Sequence, residues 1–291
     1  MRGTFSSYHP LVQAVYFLCA LGFCMFCLHP AVGLCALLGG TAWSAVGQGW
    51  KKAARSLLFC LVMPLLSGGA NMLLNRRGAH VLFRLGGRPF TAEALVFGLL
   101  SGLAFAAAFL WFGGVGRVMD TEKILALFGA KAPALTVSFT MVLRFVPRFA
   151  EKAREAADAQ RGIGFSLAGT PKDRLRGGAH LLSLLTGWAL EGTVDAADSM
   201  RGRGFGLPGR TSYAARAFER RDGLLLAGIA LLALALLAQG IGGAFSSNVF
   251  PVLALASPGT VGWGCAAVFY LLPAGMDLFV EGKWNWLRSK M

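Results

Sequence analysis

The sequence predicts an all-α integral membrane protein with about six transmembrane helices and two long cytoplasmic helices. Its 291 residues are 55% hydrophobic, and the mean hydropathy of +0.58 is too high for a soluble domain of this length. Charged residues make up only 14% and are unevenly placed: residues 1–116 contain a single acid, Glu93, and most of the others lie between Asp120 and Asp222. We therefore expect a charged insert between two groups of membrane spans.

Three regions follow from this distribution. Residues 1–116 are predicted to hold the N-terminal spans, residues 117–222 the cytoplasmic insert and residues 223–291 the C-terminal spans. A helix needs about 20 apolar residues to cross the hydrocarbon core. Runs of about that length are predicted to span the membrane at residues 11–28, 31–49, 56–74, 92–114, 223–243 and 259–280. The first run is expected to remain in the mature chain, because it lacks a basic leader and a small-residue cleavage site.

The segment at residues 75–91 is predicted to form a small hairpin at the membrane interface, because two short extended runs flank Gly86-Gly87. Thr91 is expected to cap the fourth span, with Glu93 in its first turn. With the insert in the cytoplasm, both termini are cytoplasmic by parity, and the basic segments after the second span and at the C-terminus lie inside. The hairpin arginines would then face outward against this rule, so the orientation of the hairpin stays open.

Two long amphipathic patterns fill most of the insert. In the first, apolar side chains recur every three or four residues from Leu135 to Phe149, which predicts one face of a helix. Pro147 is expected to kink this helix, and Arg154 is placed to pair with Asp158 on its surface.

The second pattern follows a break at Thr170-Pro171 and runs from about Lys172 to Met200. Its late part is rich in small residues, which let two helices approach closely. A short amphipathic helix that ends at Gly129 is predicted to precede the two long helices.

Each long pattern ends in a cluster of Arg and Gly. The clusters are Arg161-Gly162-Ile163-Gly164 and Arg201-Gly202-Arg203-Gly204. Gly is expected to supply the left-handed residue that often ends a helix, and Arg suits the negative end of the helix dipole. One such end is an ordinary helix C-terminus and needs no function. Two of them in a charged insert favour partner binding, because Arg makes planar, bidentate contacts with carboxylates or carbonyls.

No catalytic constellation is evident in the sequence. It has neither a G-x-x-x-x-G-K-[ST] nor an H-E-x-x-H motif, and its four histidines are scattered. The six cysteines lie inside apolar runs and are expected to be small buried hydrophobic residues. We therefore expect no cofactor, no metal and no enzymatic activity, with any ATP hydrolysis on partner subunits.

The net charge of +14 fits the accumulation of Lys and Arg on cytoplasmic segments better than nucleic-acid binding, because no RNA-binding motif with interleaved aromatics is present.

Two interpretations are open for Asp277 and Glu281 at the end of the last span. They pair with the Arg-rich helices, or they form a solvated helix end, which the sequence favours.

Several segments together resemble the transmembrane T component of energy-coupling factor (ECF) transporters. They are FSSYHPLVQAVYF, MDTEKILALFGAKAPALTVSFTMVLRFVPRF, AQRGIGF and DAADSMRGRGFG, in the family's order and over nearly the whole chain. The resemblance implies a multi-pass protein of a prokaryotic cell membrane in an importer of vitamins or metal ions. Its implied partners are the lipid bilayer, a membrane S component that binds the substrate, and two cytoplasmic ABC ATPases. The two long helices are then coupling helices.

In this family each coupling helix carries an Ala-Arg-Gly motif that enters a groove of one ATPase. The second motif position corresponds to Gly202-Arg203-Gly204, and the first corresponds to Gly162-Ile163-Gly164, with Ile in place of Arg. Whether Arg161, two residues earlier, replaces the missing Arg stays open. The resemblance thus implies ATPase-binding residues Arg161, Gly162, Gly164, Arg201, Gly202, Arg203 and Gly204.

A second function class is a multi-span membrane enzyme that holds anionic lipid head groups with the basic insert. Such an enzyme needs clustered His, Asp or Glu at the membrane surface, and the sequence offers no such cluster. A channel is disfavoured because no span shows a repeated polar face. The transported substrate, and whether the chain serves one S component or several, stay open.

Overall fold

The computed structural model describes residues 4–75, 78–85, 88–129, 132–164, 170–207, 218–249 and 254–288. In chain order the elements are a 3₁₀ turn at Thr4–Ser7, α1 Pro10–Phe26, α2 Pro30–Gln48, α3 Trp50–Leu74, β1 Val81–Leu85, β2 Arg88–Thr91, α4 Ala92–Val118, α5 Thr121–Gly129, α6 Pro133–Gly162, α7 Pro171–Gly202, α8 Arg220–Ile241, β3 Ser247–Asn248, β4 Ala254–Leu255 and α9 Gly259–Arg288.

The chain divides into two compact units. We call Met1–Ile124 with Arg216–Met291 the membrane unit, and Leu125–Ala215 the insert unit. Among the described helices, five are long and apolar enough to cross a membrane: α2, α3, α4, α8 and the part of α9 at Gly259–Lys283. The apolar helix α1 is shorter, with 17 residues. The architecture is therefore that of an all-α, multi-pass membrane protein, and the number of six spans stays a prediction.

Small residues allow the membrane helices to pack closely. A Cβ atom added to Gly98 of α4 would lie 2.6 Å from the carbonyl oxygen of Ser67, and one added to Gly102 would lie 2.5 Å from Cα of Pro64. Both distances are shorter than van der Waals contact. The backbones of α3 and α4 thus approach where only glycine fits, as is common between membrane helices.

Aromatic rings fill the centre of the membrane unit. Trp43 of α2 and Trp111 of α4 stack with ring centroids 5.8 Å apart and planes 17° apart. Buried polar atoms of these aromatic side chains are hydrogen-bonded: Trp111 Nε1 donates to the carbonyl oxygen of Ala36 at 3.0 Å, and Tyr16 Oη donates to that of Phe269 at 3.1 Å.

Of the six free cysteines, Cys24, Cys35 and Cys60 are buried and the other three are half-buried, so the expected burial is confirmed for three.

Two His-Pro pairs start the first two helices. His9 and His29 occupy the N-cap positions, and each ring nitrogen Nδ1 accepts a hydrogen bond at 3.2 Å from the backbone N–H two residues on. The following prolines take the first helical position, where a missing N–H costs nothing. These histidines therefore have a structural task that their scattered positions do not reveal.

The hairpin predicted at residues 75–91 is confirmed: β1 and β2 pair antiparallel. Thr91 occupies the N-cap position of α4, but its side chain makes no capping hydrogen bond; Glu93 lies in the first turn, as expected. Glu93 is 1% exposed, and its Oε1 accepts hydrogen bonds from the backbone N–H groups of Ala79 and His80, with His80 Nδ1 at 2.8 Å. The carboxylate thus ties the start of the hairpin to α4. A second antiparallel ribbon pairs β3 with β4, between α8 and α9 in the sequence.

The insert unit contains the two long helices close to their predicted bounds. Thr170 and Asp173 form a reciprocal capping box at the start of α7, which fixes the predicted break. The helix α6 is continuous through Pro147. Phe149 of α6 meets Trp188 of α7 edge-on at 5.3 Å. No described residue of this unit is buried, and many large apolar side chains on both helices are exposed, including Leu135, Phe139, Val142, Val146, Leu182, Leu190 and Val194.

Candidate functional site: the two helix tips and their roots

The tip of α7 (residues 201–204) ends the helix with a left-handed glycine. Arg203 is the C-cap residue with φ −88° and ψ 8°, and Gly204 follows at φ +79°. The Gly204 N–H donates to the carbonyl oxygen of Arg201 at 2.9 Å, and the Phe205 N–H donates to that of Met200 at 3.0 Å. These two bonds define a Schellman end, which requires the glycine conformation. The predicted role of glycine at this end is confirmed.

The tip of α6 (residues 161–164) has the same backbone. Ile163 is the C-cap residue with φ −88° and ψ 5°, and Gly164 follows at φ +84°. The Gly164 N–H donates to the carbonyl oxygen of Arg161 at 3.1 Å. Residue by residue, Ile163 is therefore equivalent to Arg203, and Gly164 to Gly204.

The tips belong to an internal repeat that the motif analysis missed. When the chain is shifted by 40 residues, Asp158 falls on Asp198 and Arg161 on Arg201. The identical positions are Glu151/Glu191, Ala156/Ala196, Ala157/Ala197, Asp158/Asp198, Arg161/Arg201, Gly162/Gly202, Gly164/Gly204, Phe165/Phe205, Leu167/Leu207 and Gly169/Gly209. Comparing the chain with itself reveals this signal without any structure.

The repeat changes the interpretation of Arg161. Its equivalent is Arg201, not Arg203, and both side chains lie beside an Asp of their own helix. Arg161 Nη1 is 3.0 Å from Asp158 Oδ1, and Arg201 Nη1 is 4.0 Å from Asp198 Oδ1. Asp158 thus pairs with Arg161 rather than with the expected Arg154. Such exposed pairs contribute about 0.2–1 kcal/mol, so they leave the tips available to a partner.

All seven predicted partner-binding residues lie at these two tips. Three of them are at the end of α6 and four are at the end of α7, in equivalent positions of the repeat. Six of the seven are exposed, and Gly204 is half-buried. Ile163, with 77% of its surface exposed, extends the α6 tip with an apolar side chain.

The N-terminal segment forms a second feature, which lies within the membrane unit. We call residues 5–9 the clasp. Lys123 of α5, just before the insert unit, donates from Nζ to the carbonyl oxygen of Ser6 at 2.9 Å and to Gln13 Oε1 at 3.2 Å. Gln13 Nε2 donates in turn to the carbonyl oxygens of Phe5 and Tyr8 at 2.9 and 3.0 Å. The chain just before the insert unit is thus bonded to the clasp.

The chain that follows the insert unit is bonded to the same clasp. Asp222 of α8, 3% exposed, accepts the His9 N–H on Oδ1 at 3.1 Å and the Glu219 N–H on Oδ2 at 3.0 Å. The Arg221 guanidinium lies over the Tyr8 ring, 5.8 Å from its centroid. The residues that precede and follow the insert unit in the sequence therefore both bind the clasp, within the membrane unit.

Asp277 of α9 also binds the clasp, through a hydrogen bond. It is 8% exposed, and it accepts the Phe5 N–H on Oδ1 at 3.0 Å and the Trp43 Nε1–H on Oδ2 at 2.9 Å. The favoured interpretation, a solvated helix end, is therefore wrong for Asp277, and its pairing with the Arg-rich helices stays untested. Glu281 is exposed, as the favoured interpretation expects. A carboxylate inside an apolar span was the signal available from the sequence.

Among the described residues, no group of three or more His, Cys, Asp or Glu is placed to hold a metal ion. An open apolar groove of about 380 Å³ lies between Tyr8 and α9, lined by Leu272, Gly275, Met276, Phe279 and Val280. Neither observation points to a reaction. The chemistry that the two tips offer is that of exposed donors, glycine turns and one apolar side chain.

No protein-family model matches this chain, and a comparison with curated proteins found no match either. The resemblance to ECF T components therefore depends on the motifs and their order alone.

Proposed function

We propose that this protein is the T component of an ECF-type importer. In this role it transmits the ATP-driven motion of two cytoplasmic ABC ATPases to a membrane S component that binds a vitamin or metal ion. The observation that carries the proposal is the pair of equivalent, exposed Arg-Gly helix tips on an insert in which no described residue is buried.

The insert has the surface of a subunit that is completed by partners. Contiguous apolar side chains on α6 and α7 face outward instead of into a core. Exposed apolar patches of this kind mark interaction sites in folded proteins. The tips supply the specific contacts, since an Arg guanidinium presents a planar set of donors to acceptors in a groove.

The geometry also suits the transmission of force. With 30 and 32 residues, α6 and α7 are each about 45 Å long at about 1.5 Å per residue. A continuous helix of this length can carry a displacement of one end to its other end. Within the membrane unit, the clasp is bonded to Lys123 of α5, Asp222 of α8 and Asp277 of α9. A displacement of the chain on either side of the insert would therefore be passed to the membrane helices.

ATP hydrolysis is assigned to the partners because the sequence contains no phosphate-binding loop of its own. The proposed location is the cell membrane of a prokaryote, with both termini in the cytoplasm. No specific observation favours the alternative enzyme acting on anionic lipid head groups.

The test is purification in mild detergent together with ABC ATPase subunits of the source cell. The proposal predicts a complex with two ATPase chains for each copy of this chain, in which ATPase activity depends on the assembled partners. Recovery of the chain as an ATPase-free monomer that transports substrate alone would refute the proposal.

A further inference from the structure

The His29 side chain joins two parts of the membrane unit that are far apart in the sequence. It is the N-cap residue of α2, and its Nδ1 accepts the Ala31 N–H at 3.2 Å. Its Nε2 lies 2.9 Å from the carbonyl oxygen of Ala256, directly after β4. The Ala256 N–H donates in turn to the carbonyl oxygen of Ser246, directly before β3, at 3.1 Å. One ring therefore connects the start of α2 with the β3–β4 ribbon between α8 and α9.

These partners fix the protonation state of the ring. A backbone N–H only donates a hydrogen bond, and a backbone carbonyl oxygen only accepts one. Nδ1 therefore carries the lone pair and Nε2 carries the proton, which is the neutral Nε2–H tautomer. His29 is 4% exposed and Ala31 is fully buried, so little water reaches these bonds.

A second proton on this ring does not fit the site. Placed on Nδ1, it would point at the Ala31 N–H, so that two donors would face each other and a buried N–H would lose its acceptor. Turning the ring over would present C–H groups to the same two partners. The imidazolium would also place a charge among apolar side chains, which include the Phe245 ring at 5.7 Å. The site thus fits the neutral ring alone.

The described residues around His29 place no carboxylate beside it to balance such a charge. Residues 242–258, which contain the ribbon, have no charged residue. Glu93 of α4 is bonded to the hairpin, and Asp277 of α9 is bonded to Trp43, towards the other end of α2. The other charged side chains described on α3, α4, α8 and α9 lie towards that other end as well: Lys51, Lys52, Arg55, Arg117, Arg220, Arg221, Asp222, Glu281 and Lys283.

The remaining titratable groups on the helices near this end are thiols and a phenol, which are uncharged at neutral pH. They are Cys24, Cys27, Cys35, Cys265 and Tyr270. A proton taken up by His29 therefore meets neither a counter-charge nor a free acceptor among the described groups.

We propose that His29 is a proton-operated latch, a side chain that bonds α2 to the β3–β4 ribbon while it is neutral and releases the ribbon when it is protonated. Histidine is the side chain whose charge ordinarily changes between about pH 5 and 8. Acidification through this range therefore weakens the contact between the start of α2 and the connection from α8 to α9. In the proposed orientation this end of the helices faces the outside of the cell, so the latch responds to external acid. It does not depend on ATPase binding.

The latch is tested by hydrogen–deuterium exchange of the full chain in lipid nanodiscs at about pH 7.5 and about pH 5, the range in which histidine titrates. The rates are corrected for the intrinsic pH dependence of amide exchange. The reporters are the amides of Ala31 and Ala256, whose hydrogen bonds the latch forms or supports. We expect their protection to fall about tenfold or more at the lower pH, because a buried donor loses its acceptor.

Asparagine variants separate His29 from the other titrating groups. Asn is a favoured N-cap residue, so His29→Asn keeps an acceptor for the Ala31 N–H but does not titrate in this range. The Ala31 amide of this variant should be equally protected at both pH values, and the Ala256 amide should exchange fast at both. His9→Asn, the matched control at the His-Pro start of α1, should keep the wild-type response, and so should His80→Asn in the hairpin.

Nitrogen-15 NMR of the histidine rings tests the latch without a variant. Ring nitrogen shifts distinguish the two neutral tautomers from the imidazolium, and the His29 signal is assigned through its contact with Phe245. We expect the Nε2–H tautomer at about pH 7.5 and the imidazolium at about pH 5, in step with the faster exchange of Ala256.

Three results would each overturn the latch. The first is an Nδ1–H tautomer at the higher pH, which contradicts the bonding of the ring. The second is unchanged protection of Ala31 and Ala256 in the wild type at the lower pH. The third is a wild-type pH response of these amides that persists in His29→Asn, which assigns the response to another group.

Discussion

In the membrane unit, Asp222 and Asp277 are buried and each accepts two hydrogen bonds, whereas in the insert unit Asp158 and Asp198 are about 70% exposed and each lies beside a single Arg. The same side chain thus has two different tasks. Buried, it orders a backbone segment that would otherwise lack partners. Exposed, it adds little stability and leaves its Arg accessible.

The apolar side chains of the two units differ in the same way. In the membrane unit, the rings around Trp43 and Trp111 are packed against one another. In the insert unit, α6 and α7 leave most of their large apolar side chains exposed. The membrane unit has a buried core and buried polar contacts, whereas no described residue of the insert unit is buried. Substitutions are therefore expected to act on stability in the first unit and, if the proposed function holds, on partner binding in the second.

The largest effect is expected at Asp277. Asp277→Ala leaves the Phe5 N–H and the Trp43 Nε1–H buried without acceptors, and each such loss costs about 1–3 kcal/mol. The thermal unfolding midpoint in detergent, followed by tryptophan fluorescence, should fall by several degrees. Glu281→Ala, which removes an exposed acid one turn further along α9, is the control and should leave the midpoint unchanged. Equal midpoints for the two variants would contradict the anchoring role of Asp277.

A smaller effect is expected at Lys123. Lys123→Met keeps most of the apolar stem but removes the hydrogen bonds to Ser6 and Gln13, at a cost of about 1–3 kcal/mol. Hydrogen–deuterium exchange of the backbone amides in residues 5–9 should become faster. Lys172→Met, at an exposed position in the first turn of α7, should leave these amides as protected as in the wild type. Unchanged exchange in Lys123→Met would show that Lys123 does not hold the clasp in place.

The smallest of these effects distinguishes two glycines of α7. Gly204→Ala forces an L-residue into a left-handed conformation and costs about 1 kcal/mol or more. Gly192→Ala lies in the helix interior with open space around the new methyl group, so it should stabilise α7 by up to about 1 kcal/mol. Exchange of amides in the last turn should become faster in the first variant and slower in the second. The same sign for both variants would exclude the glycine-ended tip as described.

Local features of this fold could be predicted from the sequence. The apolar runs indicated the membrane helices, Gly86-Gly87 between extended runs indicated the hairpin, and Thr170-Pro171 indicated the start of α7 to within one residue. The glycine ends of α6 and α7 followed from the preference of glycine for positive φ. Each of these signals lies within a few residues of the structure that it specifies.

The clasp could not be predicted in this way. Phe5 and Asp277 are 272 residues apart in sequence, and His9 and Asp222 are 213 apart. The donors are backbone N–H groups, which almost every residue has. The identity of Phe5 or His9 therefore gives no sign of the hydrogen bond. Glu93 was recognised as a first-turn acid, but its bonds to the hairpin depend on how the chain folds back. The internal repeat, by contrast, was available in the sequence and explains why position 163 of α6 is equivalent to position 203 of α7.

The central claim is that the two tips bind the ATPase subunits, and the effect of Arg203→Ala on ATPase co-purification tests it most directly. The complex of wild-type chain, S component and ATPases should contain two ATPase chains. Arg203→Ala should lower the affinity for one of them about tenfold or more, since a charge-assisted contact contributes about 1.5–3 kcal/mol. Arg161→Ala should have a smaller effect, and Arg176→Ala none. Undiminished binding of both ATPases by Arg203→Ala, or an equal loss from Arg161→Ala, would contradict the account.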